Sequence, residues 1–235
     1  MQLGLEPERD AHMPRKQYQS RMDELRTDVL YMNELVAGRL RTALDALDRG
    51  DERLGEQVIT GDAEVNEMYL ELEGQCTDLI ALQQPVAGDL RFIAATFKII
   101  TDLERIGDLA TNLGRYAAQA NQKRFPDVDV QRIGYSTLEM LDGAMQAYSE
   151  EVAERSYEVS ERDTEVDAMC EAANEAVVRD LINQEALSEE DLGAIMDDVS
   201  RLLLTVRDLE RVGDHAVNIA ARSLYMIENN DELLY

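Results

Sequence analysis

The sequence predicts an all-α protein: six long helices forming two tandem, pseudo-symmetric three-helix bundles. Three observations carry that expectation. Composition favours helix formers, with 45% hydrophobic residues among 235, four prolines, three phenylalanines and no tryptophan. Apolar residues recur every three or four positions over long stretches. A polar cassette also occurs twice: Thr101–Leu113, TDLERIGDLATNL, returns as Arg207–Ile219, RDLERVGDHAVNI, identical at eight of thirteen positions.

Residues 1–14 read as a loose lead-in, with Met13 an alternative start. From Arg15 to about Arg49 one apolar stripe runs through Tyr18, Met22, Leu25, Val29, Met32, Val36, Leu40, Ala43 and Leu47. Gly50 ends this helix and Asp51 caps the next. The second helix continues to about Gln83 through Val58, Val65, Met68, Leu72, Cys76 and Leu79. Pro85 breaks it and suits the first turn of a third, reaching about Gln122. The first bundle is therefore 15–122, followed by a linker at 123–129 around Pro126. The second bundle, 130–228, holds helices over about Val130–Arg155 and Val159–Asn183, and a last one from a cap at Ser188 to about Ile227. Residues 229–235 are expected to fray. Short connections between long helices favour antiparallel packing. A weaker repeat aligns Val58–Met68 with Val159–Met169, setting Asp62 opposite Asp163 and Asn66 opposite Asp167.

Charge narrows the function. The net charge is −26, and only three of the 23 basic residues are lysines, Lys16, Lys98 and Lys123. Direct nucleic-acid or anionic-membrane binding needs clustered cations and is excluded on that ground. No apolar run approaches the ~20 residues of a membrane span, and residues 1–12 lack a basic start and an apolar middle. A cytoplasmic protein without membrane insertion is expected. The acid-rich, lysine-poor balance resembles proteins of salt-loving organisms, where screening tolerates self-repulsion. Cys76 and Cys170 are too few for a disulfide framework and read as small core residues.

The cassette carries paired acids. Glu104/Asp108 and Glu210/Asp214 are each spaced i,i+4, so both carboxylates share a helix face and repel. Among 49 acids in 235 residues, about ten such pairs arise by chance, so spacing alone says little. Duplication with identical neighbours says more. Asn112 and Asn218 add a neutral oxygen one turn on, and Asp62/Asn66 and Asp163/Asp167 offer oxygens from a neighbouring helix. Such a donor set suits Mg²⁺, Mn²⁺, Ca²⁺ or oxo-bridged iron better than a structural zinc. Arg105 and Arg211 follow the acids directly, placed to pair with Asp102 and Asp208 or to neutralise the cluster. Gly107, Gly114 and Gly213 beside the acids point to close helix packing. His215 replaces Leu109 and reads as a surface residue. No G-x-S-x-G, phosphate-cradling glycine loop or H-E-x-x-H occurs. Two matching carboxylate sites without those motifs read as a regulatory adaptor, and the rival from another class is a metal-dependent, phosphoesterase-like enzyme working through carboxylates and metal alone.

QQPVAGDLRFIAATFKIITDLERIGDLATNL (83–113), the second copy RDLERVGDHAVNIA and the opening MPRKQYQSRMDELR (13–26) resemble the PhoU family of phosphate-uptake regulators. The likeness covers about Met13–Ile227. It implies two three-helix bundles with divalent ions or multinuclear iron clusters on the acid motifs, the element open among Fe, Mg, Mn and Zn. Matched to those motifs are Glu104, Asp108, Glu210, Asp214, Asp163, Asp167 and Asp62, while Asn66 departs from the acidic pattern and implies a first site that holds metal more weakly or holds fewer ions. It further implies a cytoplasmic negative regulator, not an enzyme, linking the ATPase subunit of a phosphate ABC transporter to a sensor kinase. A homodimer is expected.

Overall fold

A computed structural model describes residues 15–82, 85–119, 128–183 and 189–234. Among these the chain forms seven α-helices, a closing 3-10 turn and no strand. The helices are α1 (Arg15–Arg49), α2 (Glu52–Thr60), α3 (Asp62–Leu82), α4 (Ala87–Ala118), α5 (Val130–Glu150), α6 (Ala153–Asn183) and α7 (Glu189–Glu228). The lead-in 1–14, linker residues 123–127 and Ser188 lie outside the described residues. Helices α1–α4 pack together as repeat one and α5–α7 as repeat two, with α4 lying along α7 and α1 touching α5.

The expected stripes face inward. Every residue named on α1 from Tyr18 to Ala43 is buried, and Leu47 packs against the core edge. Asp51 accepts a hydrogen bond from the Leu54 amide at 3.1 Å, and Asp129 one from the Arg132 amide at 3.0 Å, so both helix starts have side-chain caps. Cys76 and Cys170 are buried free thiols. One hydrophobic core runs through both repeats, from Leu25 and Leu103 to Leu141 and Leu209. The halves meet closely enough that a Cβ on Gly134 of α5 would collide with Leu44 of α1. In repeat one, Gly55 and Gly114 let α2 and α4 touch backbone to backbone. A Cβ on Gly55 would lie 2.5 Å from the Gly114 carbonyl.

Three features depart from the expected elements. The second helix is broken at Gly61, yet the Gly61 amide still donates to the Gln57 carbonyl at 3.3 Å, so the chain bends rather than turns. Its counterpart, Arg162, lies inside the unbroken α6, so Asp62 opens a helix while Asp163 sits within one. The turn between α5 and α6 comes at Glu151 and Val152, ahead of the expected Arg155–Val159, with Glu151 in the left-handed region (φ 57°). No glycine or proline announces that turn. It is held by Arg26 of α1, which donates to the Ser149 carbonyl (3.2 Å) and Glu151 (2.6 Å) and lies over the rings of Phe92 and Tyr148. Finally, past the end of α7, Glu232–Leu234 form a 3-10 turn, and Asn230 donates to the Tyr157 hydroxyl at 3.0 Å, where loose ends were expected.

Candidate functional site

The acid motifs lie where helices cross within each repeat. In repeat two, Asp163 and Asp167 come from α6, and Glu210 and Asp214 from α7. Gly213 allows the approach: a Cβ there would stand 3.3 Å from Asp163 Oδ1. That oxygen is buried and has no hydrogen-bond partner. Burial pushes Asp163 up to about 6, and Asp167, Asp214 and Glu210 add to the rise. Glu210 and Asp214 are raised by burial and then by Asp167. The four carboxylates therefore share one field. Asp167 and Glu210 also line an open groove of about 650 Å³ along α6, so solvent ions can reach them.

Repeat one uses the same frame differently. Asp62 Oδ1 accepts from Arg39 Nη2 at 3.2 Å and from the Thr111 hydroxyl at 3.0 Å, while Asn66 donates to Oδ2 at 3.2 Å. Arg39 comes from α1 with a side chain only 13% exposed, and it also donates to the Val58 carbonyl at 2.7 Å. Burial holds Arg39 below the usual arginine range, and Asp62, Glu64 and Asp108 counter that. Glu104 is raised by burial and by Asp108. Arg105 pairs with Glu104 (3.5 Å) and Asp108 (3.3 Å), the acids of its own motif.

Asn112 and Asn218 do not join these clusters. Asn112 donates to Asp208 across the molecule at 3.3 Å, and Asn218 to Asp102 at 3.4 Å. The reason is helical drift: eight residues beyond Glu104 or Glu210 lies about 80° further round the axis. The two crossed pairs form a seam between α4 and α7. The Tyr116 hydroxyl strengthens it by donating to Asp208 at 3.0 Å. Arg211 turns to the same carboxylate, 4.0 Å away, as does Arg207 at 2.8 Å, leaving Asp208 with 0% exposure but well partnered. His215 is likewise no surface residue: its Nδ1 lies 2.8 Å from Asp102 and its side chain is mostly buried.

Sequence reasoning missed Arg39, Thr111 and the seam. A signal for the seam existed, because Asp102 and Asp208 are themselves matched positions of the cassette. Arg39 gave a fainter one, a lone charge beside the buried positions Val36 and Leu40.

The donor chemistry of repeat two fits a hard cation: four carboxylates, one with an orphaned buried oxygen. Among the described residues, however, no group of three or more His, Cys, Asp or Glu side chains is drawn together tightly enough to hold an ion. The arrangement supplies charge and oxygens in one neighbourhood without a closed shell.

A duplicated helical bundle with matching acid faces and a pseudo-symmetric seam defines a class of two-repeat proteins. The PhoU domain family matches residues 29–117 and 130–223, once on each repeat, and the chain belongs to that family. It is 31% identical over 218 residues to the phosphate-specific transport system accessory protein PhoU homolog of Clostridium acetobutylicum, covering 92% of this chain and 96% of that one. Against the homolog of Pseudomonas aeruginosa the figures are 32% over 224 residues, 94% and 89%. The crystal structure of PhoU from Pseudomonas aeruginosa matches with a TM-score of 0.84 at 29% identity, over 91% of this chain and 100% of that one. The phosphate transport system regulatory protein PhoU from Streptococcus pneumoniae shares the fold at a TM-score of 0.82 and 24% identity, over 91% and 98%. No helix among the described residues is long and apolar enough to cross a membrane.

Proposed function

We propose that this chain is a cytoplasmic, metal-binding regulatory adaptor of a phosphate-specific transport system, acting as a homodimer and restraining uptake through the transporter ATPase and its sensor kinase. The observation that carries the reading is the family match on both repeats, with curated relatives named as accessory proteins of that transport system. When bound, a divalent ion would supply the positive charge that lets Asp163, Asp167, Glu210 and Asp214 stay ionised side by side. Asp163 and Asp167 on α6 and Glu210 and Asp214 on α7 would hold that ion, and holding it from both helices would stiffen the face they share. Such a protein offers long helical surfaces to a partner and performs no covalent chemistry.

The test is binding of the purified ATPase subunit to the full chain with Mn²⁺ and with chelator. Metal-strengthened binding, weakened in Glu210→Gln/Asp214→Asn, supports the adaptor. Absence of any binding, or turnover of phosphate esters by the metal-loaded chain, overturns it in favour of an enzyme.

A further inference from the structure

The two repeats differ at the three positions that decide whether their shared aspartate needs an outside partner. Two registers of α5 on α1 set buried residues on buried residues: one pairs Val36, Leu40, Ala43 and Leu44 with Met140, Ala144, Ala147 and Tyr148, the other with Thr137, Leu141, Ala144 and Met145. In the first register Gly143 stands where repeat one has Arg39, and in the second Met140 does. The cassette sets Val217 opposite Thr111, and the weaker repeat sets Asp167 opposite Asn66. The three side chains that donate to Asp62 are those of Arg39, Thr111 and Asn66. Their counterparts are a glycine or a methionine, a valine and a carboxylate, none of which donates a side-chain hydrogen bond. Asp163 Oδ1 is accordingly the orphan, and Asp62 Oδ1 is satisfied twice.

Carboxylate placement follows the same division. Asp163 lies against α7 at Gly213, facing Glu210 and Asp214. At the matching Gly107 the nearest atoms belong to Val65 and Val36, while Asp62 is drawn to the guanidinium. A divalent ion entering repeat one would have to displace a half-buried arginine that bridges α1, the end of α2, the start of α3 and α4. Bringing a cation beside that fixed positive charge is unfavourable. Repeat one therefore does not fit the metal implied for it.

We propose that Arg39 is the built-in cation of repeat one, closing that acid motif to metal, so that each chain takes a divalent ion at repeat two alone. This rests on the reading of repeat two as a cation site, and the two ideas fail separately.

The experiment is Mn²⁺ titration of the full chain by calorimetry, with electron paramagnetic resonance counting bound ions. Wild type should bind about one Mn²⁺ per chain. Asp163→Asn should abolish it, and Asp62→Asn should leave it unchanged. The variant Arg39→Gly/Asn66→Asp/Thr111→Val, which removes all three side-chain donors to Asp62, should gain a second ion, lost again when Asp62→Asn is added. Arg39→Gln/Asn66→Asp, which keeps the side-chain bulk, should gain the same ion and serves if the triple variant does not fold by circular dichroism. A wild-type site removed by Asp62→Asn overturns the proposal, as does a folded variant without Arg39 that gains nothing. If wild type binds no ion but the Arg39 variants bind one sensitive to Asp62→Asn, the role of Arg39 holds and the repeat-two reading falls.

Discussion

Asp163→Asn should stabilise the metal-free protein while removing its response to metal. In the fold Asp163 titrates near 6, against 3.8 for the free side chain, because burial and then Asp167, Asp214 and Glu210 disfavour its charge. The fold thus binds the proton more tightly than the unfolded chain. Stability from this group is greatest below about pH 4, declines as pH rises through 4–6, and stays lower above that window. Roughly two pH units at 1.36 kcal/mol each sets a ceiling of about 3 kcal/mol. The carboxylate is partly open to solvent, whose screening reduces the expected cost to about 1–1.5 kcal/mol. At neutral pH in chelator, the neutral amide should therefore raise Tm by about 3–5 °C for a chain of this size. In saturating Mn²⁺ the order should reverse, since only wild type gains binding energy from the ion. Thermal melts of both proteins at pH 4.5 and 7.5, with chelator and with Mn²⁺, check every sign. An Asp163→Asn variant no more stable than wild type in chelator at pH 7.5 would refute the reasoning.

Gly114→Val would drive a branched side chain into the Gly55 carbonyl and Val58, both 3.0 Å from a Cβ at that point, and should cost about 2–3 kcal/mol in urea denaturation. Tyr116→Phe removes one donor from the fully buried Asp208 and should cost about 1–2 kcal/mol by the same measurement. In a double-mutant cycle, Asp102→Ala and His215→Ala should couple by about 0.5–1 kcal/mol, whereas Asp102→Ala and Asp163→Asn should add without coupling. With a net charge of −26, the Tm should climb as KCl rises from dilute to molar, because screening relieves repulsion.

Helix identity was legible because burial obeys a period that sequence displays directly. Tyr18 through Ala43 on α1 is one inward stripe, and both aspartate caps sit where the pattern restarts. Boundaries without a chemical marker were not legible. Gly61 breaks the helix within the right-handed region (φ −76°, ψ −4°), without the positive φ of a glycine stop, and at the α5–α6 turn it is Glu151, not a glycine, that takes the left-handed conformation. The acid pairs stood out through duplication, and the glycines beside them through their cost within helices. What the asparagines do could not be read from spacing, since their partners Asp102 and Asp208 lie about a hundred residues away in the chain. Arg39 was hidden for the same reason: its partners come from three other helices, and its meaning emerges only beside the orphaned oxygen of Asp163.

The uninterrupted interior that joins the halves has a consequence for how they diverged. Neither half is obliged to be stable by itself, because Leu44 and Gly134 belong to one packed whole. A duplicate relieved of self-sufficiency can carry an awkward, mutually repelling group of charges that an independent domain would lose to unfolding. The tolerant partner shoulders the strain, and the fused molecule keeps a side of crowded, repelling acids and a quiet one within the same body.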